Sequence, residues 1–287
     1  MQARLGALPC PTVALIRDTS SAAVPICEAF DLVVSSREEL EPILDATRRT
    51  PLAAMALVQL LRQGAGLDVQ QGLIAESLVY STLQGGPEFA HWLSRRPAAA
   101  PQQGDPEPPV LVRRSGARLE LALNRPKKRN AFSAQMRDSL VEGLRTVACD
   151  PSITEVILRG AGPAFCSGGD LDEFGTLPDP ATAHAIRSTR SPASLLARCG
   201  ERVRAELQGA CVGAGIELAA FARRVVAARD AFFQLPEVSM GLVPGAGGTV
   251  SIPRRIGRQR TAYLALSGAR LDADTARRWG LIDEVRT

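Results

Sequence analysis

Near residue 110 the apolar residues of this chain change their spacing, and that change narrows the possible folds more than any single motif does. Before it, "REELEPILDATRR", "PLAAMALVQLLRQG" and "VQQGLIAESLVYSTLQ" place apolar side chains at steps of three and four, the period of amphipathic helices. Only "PTVALI" and "FDLVVSS", ahead of these, read as short buried strands. After it, "RLELALN" alternates as a strand, "SAQMRDSLVEGLRTVACD" reads as a helix opened by Ser133 as N-cap, and "ITEVILRG" reads as a buried strand. The alternation continues through "RVRAELQG", "GAGIELAAFARR" and "RVVAARD", which predicts an α/β fold of sheet layers and crossover helices. "RRPAAAPQQGDPEPPV" separates the two regimes and has the composition of a linker. The division is therefore 1–100, mostly helical; 101–108, linker; and 109–287, an α/β core.

The chain has 287 residues, enough for one large domain or two modest ones. Its formal charge is +4, from 34 basic and 30 acidic residues, and only 4% of it is aromatic. That leaves little to stack on bases, so nucleic acid is not an expected partner, whereas a modest basic excess suits a small phosphorylated ligand. Six cysteines without paired short spacings read as free thiols of a reducing compartment, not as disulfides or a zinc site. With no leader-like start and no apolar run of membrane-spanning length, the expected setting is cytoplasmic, away from membranes.

The chemistry gathers at strand exits. "GPAFCSGGDLDEF" (162–174) has a bare backbone at Ser167, Gly168 and Gly169, where a ligand atom can approach main-chain amides. "GACVGAGIELAAF" (209–221) repeats the pattern with Gly209, Gly213 and Gly215 at a helix start, where free amides favour negative charge. Two such amides converging on one oxygen make an oxyanion hole. "PGAGGT" (244–249) is a third loop-to-helix junction but lacks the lysine of a phosphate-binding P-loop. Any one glycine cluster is more often a tight turn, so the carboxylates carry the weight. Glu217 lies in a helix apolar on nearly every side, and Glu237 is a single acid in "FFQLPEVSMGLVPGAGG". A lone buried carboxylate costs several kcal/mol or shifts its pKa upward.

Other candidates weigh less. Cys166 beside Ser167 lacks a nucleophile-elbow pattern, and the only bases on offer are His91, in a helical tail, and His184, in a polar stretch expected to be mobile. "RRIGRQR" (254–260) reads as a solvated helix face. Asp170, Asp172 and Glu173 read as surface acids without a catalytic role. In "ERVRAELQG" one strand face carries Arg202, Arg204 and Glu206, and is expected to be exposed or to meet a partner.

In this order, "LNRPKKRNAFSAQM", "GPAFCSGGDLDEF", "LQGACVGAGIELA", "QLPEVSMGLVPGAGGT" and "LSGARLDADTARRWGLIDEV" resemble the enoyl-CoA hydratase (crotonase) superfamily over roughly 110 to 287. The resemblance implies a crotonase-like spiral of ββα units with a flanking helical segment, and a thioester oxygen held by the amides of Gly169 and Ala214. It implies Glu217 and Glu237 as catalytic acids. It places CoA on Lys128, Arg129, Ala131, Ser167, Gly168, Asp170, Leu171 and Gly213, with Lys128 and Arg129 near its phosphates. Ala214 stands where the family usually has glycine, a small departure because only the amide is used. The charged "RVRAEL" replaces an apolar strand with a proline. The implied activity is hydration of a 2-enoyl-CoA, with double-bond isomerisation second and a non-catalytic acyl-CoA-binding or assembly subunit as the other class. No metal and no cofactor beyond the substrate's own coenzyme A is implied, and a homotrimer or hexamer is the family's assembly. Crotonase-type chains continue past "GLIDEV" into helices that cover the site, and here residues 1–100 resemble that segment, Glu76 and Tyr80 included. Either the order is circularly permuted or residues 1–100 are the remnant of a duplicated copy.

Overall fold

The computed structural model describes residues 5–16, 24–97, 107–176 and 179–286. Most of the expected linker, 101–106, lies outside the described residues.

The N-terminal part opens on a two-stranded parallel sheet, β1 (Val13–Leu15) against β2 (Leu32–Val34), with a single helical turn, Val24–Cys27, between them. Four helices follow: α1 (Arg37–Arg49), α2 (Pro51–Gly64), α3 (Val69–Gln84) and α4 (Pro87–Ser94). Each start has a local cause. Ser36 accepts from Glu39 N, Asp68 and Gln71 form a capping box, and Pro51 and Pro87 open their helices where no amide donor is needed.

The core contains β3 (Val110–Ser115), β4 (Arg118–Leu123), α5 (Ala134–Cys149), β5 (Glu155–Gly160), α6 (Pro180–Thr189), α7 (Pro192–Cys199), β6 (Val203–Leu207), β7 (Ala210–Val212), α8 (Ala214–Ala219), β8 (Arg224–Ala228), β9 (Phe232–Gln234), α9 (Gly248–Ser267), β10 (Leu271–Asp272), α10 (Ala273–Trp279) and β11 (Glu284–Arg286). Six strands form one sheet in the order β11-β8-β6-β5-β4-β3, parallel except for the β3–β4 hairpin. A second sheet has the order β10-β9-β7, and the segment leaving β5 bridges to it through Cys166 and Cys211. Gly143 brings α5 close to β4, since a side chain there would meet Leu121 Cδ2 at 2.7 Å.

The charged strand β6 belongs to a charged sheet face. Strand register sets Arg118 opposite Glu155, Arg159 opposite Glu206 and Arg204 opposite Arg224, on one face of the sheet. Ion pairs lace that face, Arg118–Glu155 at 2.8 Å, Arg159–Glu120 at 2.6 Å and Arg286–Glu206 at 2.8 Å, so it is half open to solvent yet internally compensated. Arg202, ahead of the strand, donates to the carbonyls of Ile153 and Val147, both at 2.9 Å, and ties β6 to the end of α5.

The N-terminal helices dock on the core. Leu57, Leu60 and Leu61 of α2 are buried, and α2 and α3 pack on α9 while α3 also packs on α6. Burial of each such leucine contributes about 1.5–3 kcal/mol. A polar clamp fixes the same junction: Asp31, buried, receives Arg62 at 2.6 Å and Arg258 at 2.8 Å, and Gln259 donates to the carbonyl of Cys27 at 2.7 Å. Burial opposes the Asp31 charge, but Arg62 and Thr12 hold its pKa below the ordinary value. Here the expectation of a solvated "RRIGRQR" face is corrected. Arg254 donates to Leu67 O at 3.0 Å and Arg258 to Asp31, both in the N-terminal block docked along the middle of α9, and Arg255 donates to Ala220 O of the core at 2.8 Å.

Candidate active site

The loop leaving β5 and the loop before α8 lie side by side. Cys166 and Cys211 form an isolated bridge, with Cys166 N donating to Ala210 O at 3.0 Å and Val212 N to Cys166 O at 3.0 Å. Gly215 packs on this bridge, where a side chain would meet Cys166 O at 2.6 Å. On one loop, Phe132 N donates to Gly168 O at 2.7 Å and Asp170 N to Phe132 O at 3.1 Å, which leaves the intervening amide of Gly169 without a protein acceptor among the described residues. On the other, Gly213 (φ 49°, ψ −121°) sends its own amide to Gln234 O while its carbonyl takes Ile216 N and Glu217 N. The amide of Ala214 has no protein acceptor among the described residues either. Both Gly169 and Ala214 line one cavity of about 440 Å³.

Two carboxylates stand over the same spot. A side chain at Gly213 would lie 3.7 Å from Glu217 Oε1 and closer still to Glu237 Oε1, so glycine is required there both by its positive φ and by the approach of the two acids. Glu217 is 2% exposed, and its Oε2 accepts from Ala246 N at 2.7 Å and Gly248 N at 2.9 Å. Burial, then the neighbouring Glu237 and Glu76, push its pKa well above the carboxylate range. Glu237, at the start of a 3₁₀ turn (Glu237–Met240), is raised to about 8, mainly by burial. Its Oε2 is buried and has no protein partner among the described residues. An unpartnered acceptor in such a place is costly unless a ligand or water meets it.

A third acid, unassigned by the sequence reading, completes the set. Glu76 of α3, 2% exposed, accepts from Gly247 N at 2.7 Å through Oε1 and from Thr249 N at 2.9 Å and Thr249 Oγ1 at 2.6 Å through Oε2. Successive amides at the start of α9 thus alternate between two carboxylates: Ala246 and Gly248 to Glu217, Gly247 and Thr249 to Glu76. Burial raises the Glu76 pKa to about 7, against the lowering effect of these bonds. The signal was present in "GLIAESLV", a lone acid in apolar company like Glu217.

Of the residues expected to meet CoA, Asp170 lines the cavity, but its carboxylate is already committed. It is buried, pairs with Arg125 at 2.8 Å and caps Asp172 N at 3.2 Å, so it holds the loop and does not read as a surface acid. Lys128, Arg129, Ala131, Ser167, Gly168, Leu171 and Gly213 lie outside the cavity lining. All but Gly213 sit on two adjoining loops joined by Ser167 N to Arg129 O at 3.0 Å, and Gly213 sits at the start of α8. Arg129 (φ 51°) and Asn130 (φ 54°) are left-handed; Asn130 secures the first loop by donating to Ala161 O and Ala164 O at 2.9 and 2.8 Å. Lys128 is partly neutralised by Asp172 at 3.0 Å, whereas Arg129 forms no ion pair among the described residues.

Cys166 is buried with its thiol pushed up to about 12 by that burial, which removes it as a nucleophile. His184, expected in a mobile stretch, sits on α6 instead, with Nδ1 2.8 Å from Ser77 Oγ. No cluster of three metal-ligating side chains occurs among the described residues, and none of their helices is long and apolar enough to cross a membrane.

Residues 114–287, more than half of the chain, match the enoyl-CoA hydratase/isomerase family model. The chain belongs to that family. It is 37% identical over 171 residues to the 1,2-epoxyphenylacetyl-CoA isomerase of Escherichia coli K12, a match covering 58% of this chain and 65% of the relative. It is 34% identical over 177 residues to the 2,3-dehydroadipyl-CoA hydratase of the same organism, over 61% of this chain and 68% of that one. The chain therefore spans about two thirds of the length of the relatives it matches. Among solved structures, an enoyl-CoA hydratase/isomerase from Mycobacterium paratuberculosis superposes with a TM-score of 0.58 at 32% identity, covering 64% of this chain and 74% of the other. An enoyl-CoA hydratase from Thermoplasma volcanium gives 0.57 at 35% identity, over 63% and 72%. The α/β fold is thus that of the crotonases.

Proposed function

We propose that this family member hydrates a 2-enoyl-CoA thioester. The observation that carries the reading is the convergence of two free amides, Gly169 and Ala214, and two acids, buried Glu217 and half-buried Glu237, on one cavity. Conjugate addition of water moves charge onto the thioester oxygen, and fixed donors in a dry pocket stabilise that charge most as it develops. One glutamate takes a proton from water as its oxygen bonds to the β-carbon; the other, protonated, returns a proton to the α-carbon as the enolate collapses. Burial keeps the pKa values high enough to supply a protonated acid at neutral pH. The reaction needs no redox cofactor and no metal.

In this reading the loops 128–131 and 167–171 bind CoA mainly through backbone groups, and Arg129 offers charge to its phosphates. Trimeric assembly and a reducing, cytoplasmic setting fit the same reading, the latter with all six cysteines free. Double-bond isomerisation is the second reading, favoured by the isomerase among the relatives, since it moves protons around the same enolate. Gly169→Pro tests the site. Removing that amide donor should lower turnover by about 10²-fold or more in a folded variant, and unchanged turnover would remove Gly169 from the oxyanion hole.

A further inference from the structure

Resting on the acyl-CoA reading, we infer that the cavity is built for an acyl chain ending in a carboxylate, held by Arg187. Three arginines line the cavity. Arg137 pairs with Asp138 at 3.0 Å and Arg190 with Glu142 at 2.9 Å. Arg187 alone of the three has no acidic partner among the described residues, although it is half-buried and is held in a fixed orientation. Its Nε donates to Ser77 Oγ at 3.1 Å, its Nη2 donates to Ser81 Oγ, and its guanidinium stacks 4.6 Å above the Tyr80 ring. The remaining contacts, to Gln84 Oε1 and Ser77 O, are both 3.5 Å, too long to satisfy the group.

All of these holders are neutral. Burial acts against the Arg187 charge, and Tyr80 beneath it, then Glu76, which forms no ion pair with it, offset that only in part. A half-buried cation oriented by hydroxyls and an aromatic face, but left without an anion, matches the planar, bidentate demand of a carboxylate. The ligand must bring that anion. The thioester end is committed to Gly169 and Ala214, and the loops assigned to CoA contribute nothing to the α3–α6 wall where Arg187 sits. The group that reaches Arg187 is therefore the far end of the acyl chain. His184, anchored on the same Ser77 hydroxyl, adds a second polar group to that wall.

The test is calorimetric binding of hexanoyl-CoA and of its counterpart with a terminal carboxylate, the mono-CoA thioester of hexanedioic acid, to the full chain. Wild type should bind the carboxylate form about 10-fold or more tightly than the methyl-ended one. In Arg187→Gln the ratio of the two affinities should fall to about one, and Arg187→Lys, which keeps the charge but not the fork, should lie between. Thermal melts check that both variants fold. Equal affinities in wild type, or an Arg187→Gln variant that weakens both ligands alike, would overturn the inference. Because binding is read without turnover, a preserved preference in a protein that hydrates neither unsaturated counterpart would remove the hydratase reading and leave the Arg187 subsite standing.

Discussion

In the proposed reaction Glu217 and Glu237 depend on their environment. Neither has a cationic partner among the described residues; both are raised by burial, Glu237 to about 8 and Glu217 well above the carboxylate range. If Glu237, with its unpartnered Oε2, accepts the proton from water, the rate should rise about tenfold per pH unit below pH 8 and level off above it, because the ionised form is scarce at lower pH. A kcat/KM profile from pH 5 to 9 checks this, and Glu237→Gln should abolish the rising limb. Two groups on one water also lose function as a unit: the double Gln variant should be little slower than the slower single variant, and additive logarithmic losses would exclude a shared water. At this scale the sequence was informative, because an acid in apolar company is visible without coordinates. It was less so for Asp170, which read as a surface acid until the buried Arg125 pair was seen.

At the scale of elements, the device to test is the start of α9, whose four amides are shared alternately by Glu217 and Glu76. Glu76 is a positioning residue: it fixes the backbone that fixes Glu217. Glu76→Gln puts an NH₂ against backbone donors and should cost about 1–3 kcal/mol of stability. It should also lower kcat about 10-fold with little change in KM, and shift the pH profile, which a purely structural lesion would not do. The strands, helices and glycine junctions that frame this device were legible from period and turn chemistry. The pairing across 171 residues was not, because sequence period reports which face an element buries and not what it is buried against.

For the whole molecule, the question is what the N-terminal helices do. They supply Glu76, Tyr80 and the Arg187 contacts of Ser77 and Ser81 to the cavity wall, so the core alone has an open site. Their apolar faces forecast docking. Expressed alone, residues 106–287 should lose at least 10²-fold in turnover and tend to aggregate, since the α2 and α3 faces would leave bare apolar surface on α9. A soluble, fully active fragment would make the N-terminal helices an accessory. The most direct measurement of all is the mass and double-bond position of the product formed from 2-hexenoyl-CoA. Hydration predicts a 3-hydroxyacyl-CoA heavier by one water, formed by wild type and suppressed in Glu217→Gln; a product of unchanged mass with a moved double bond, or no product at all, would contradict it.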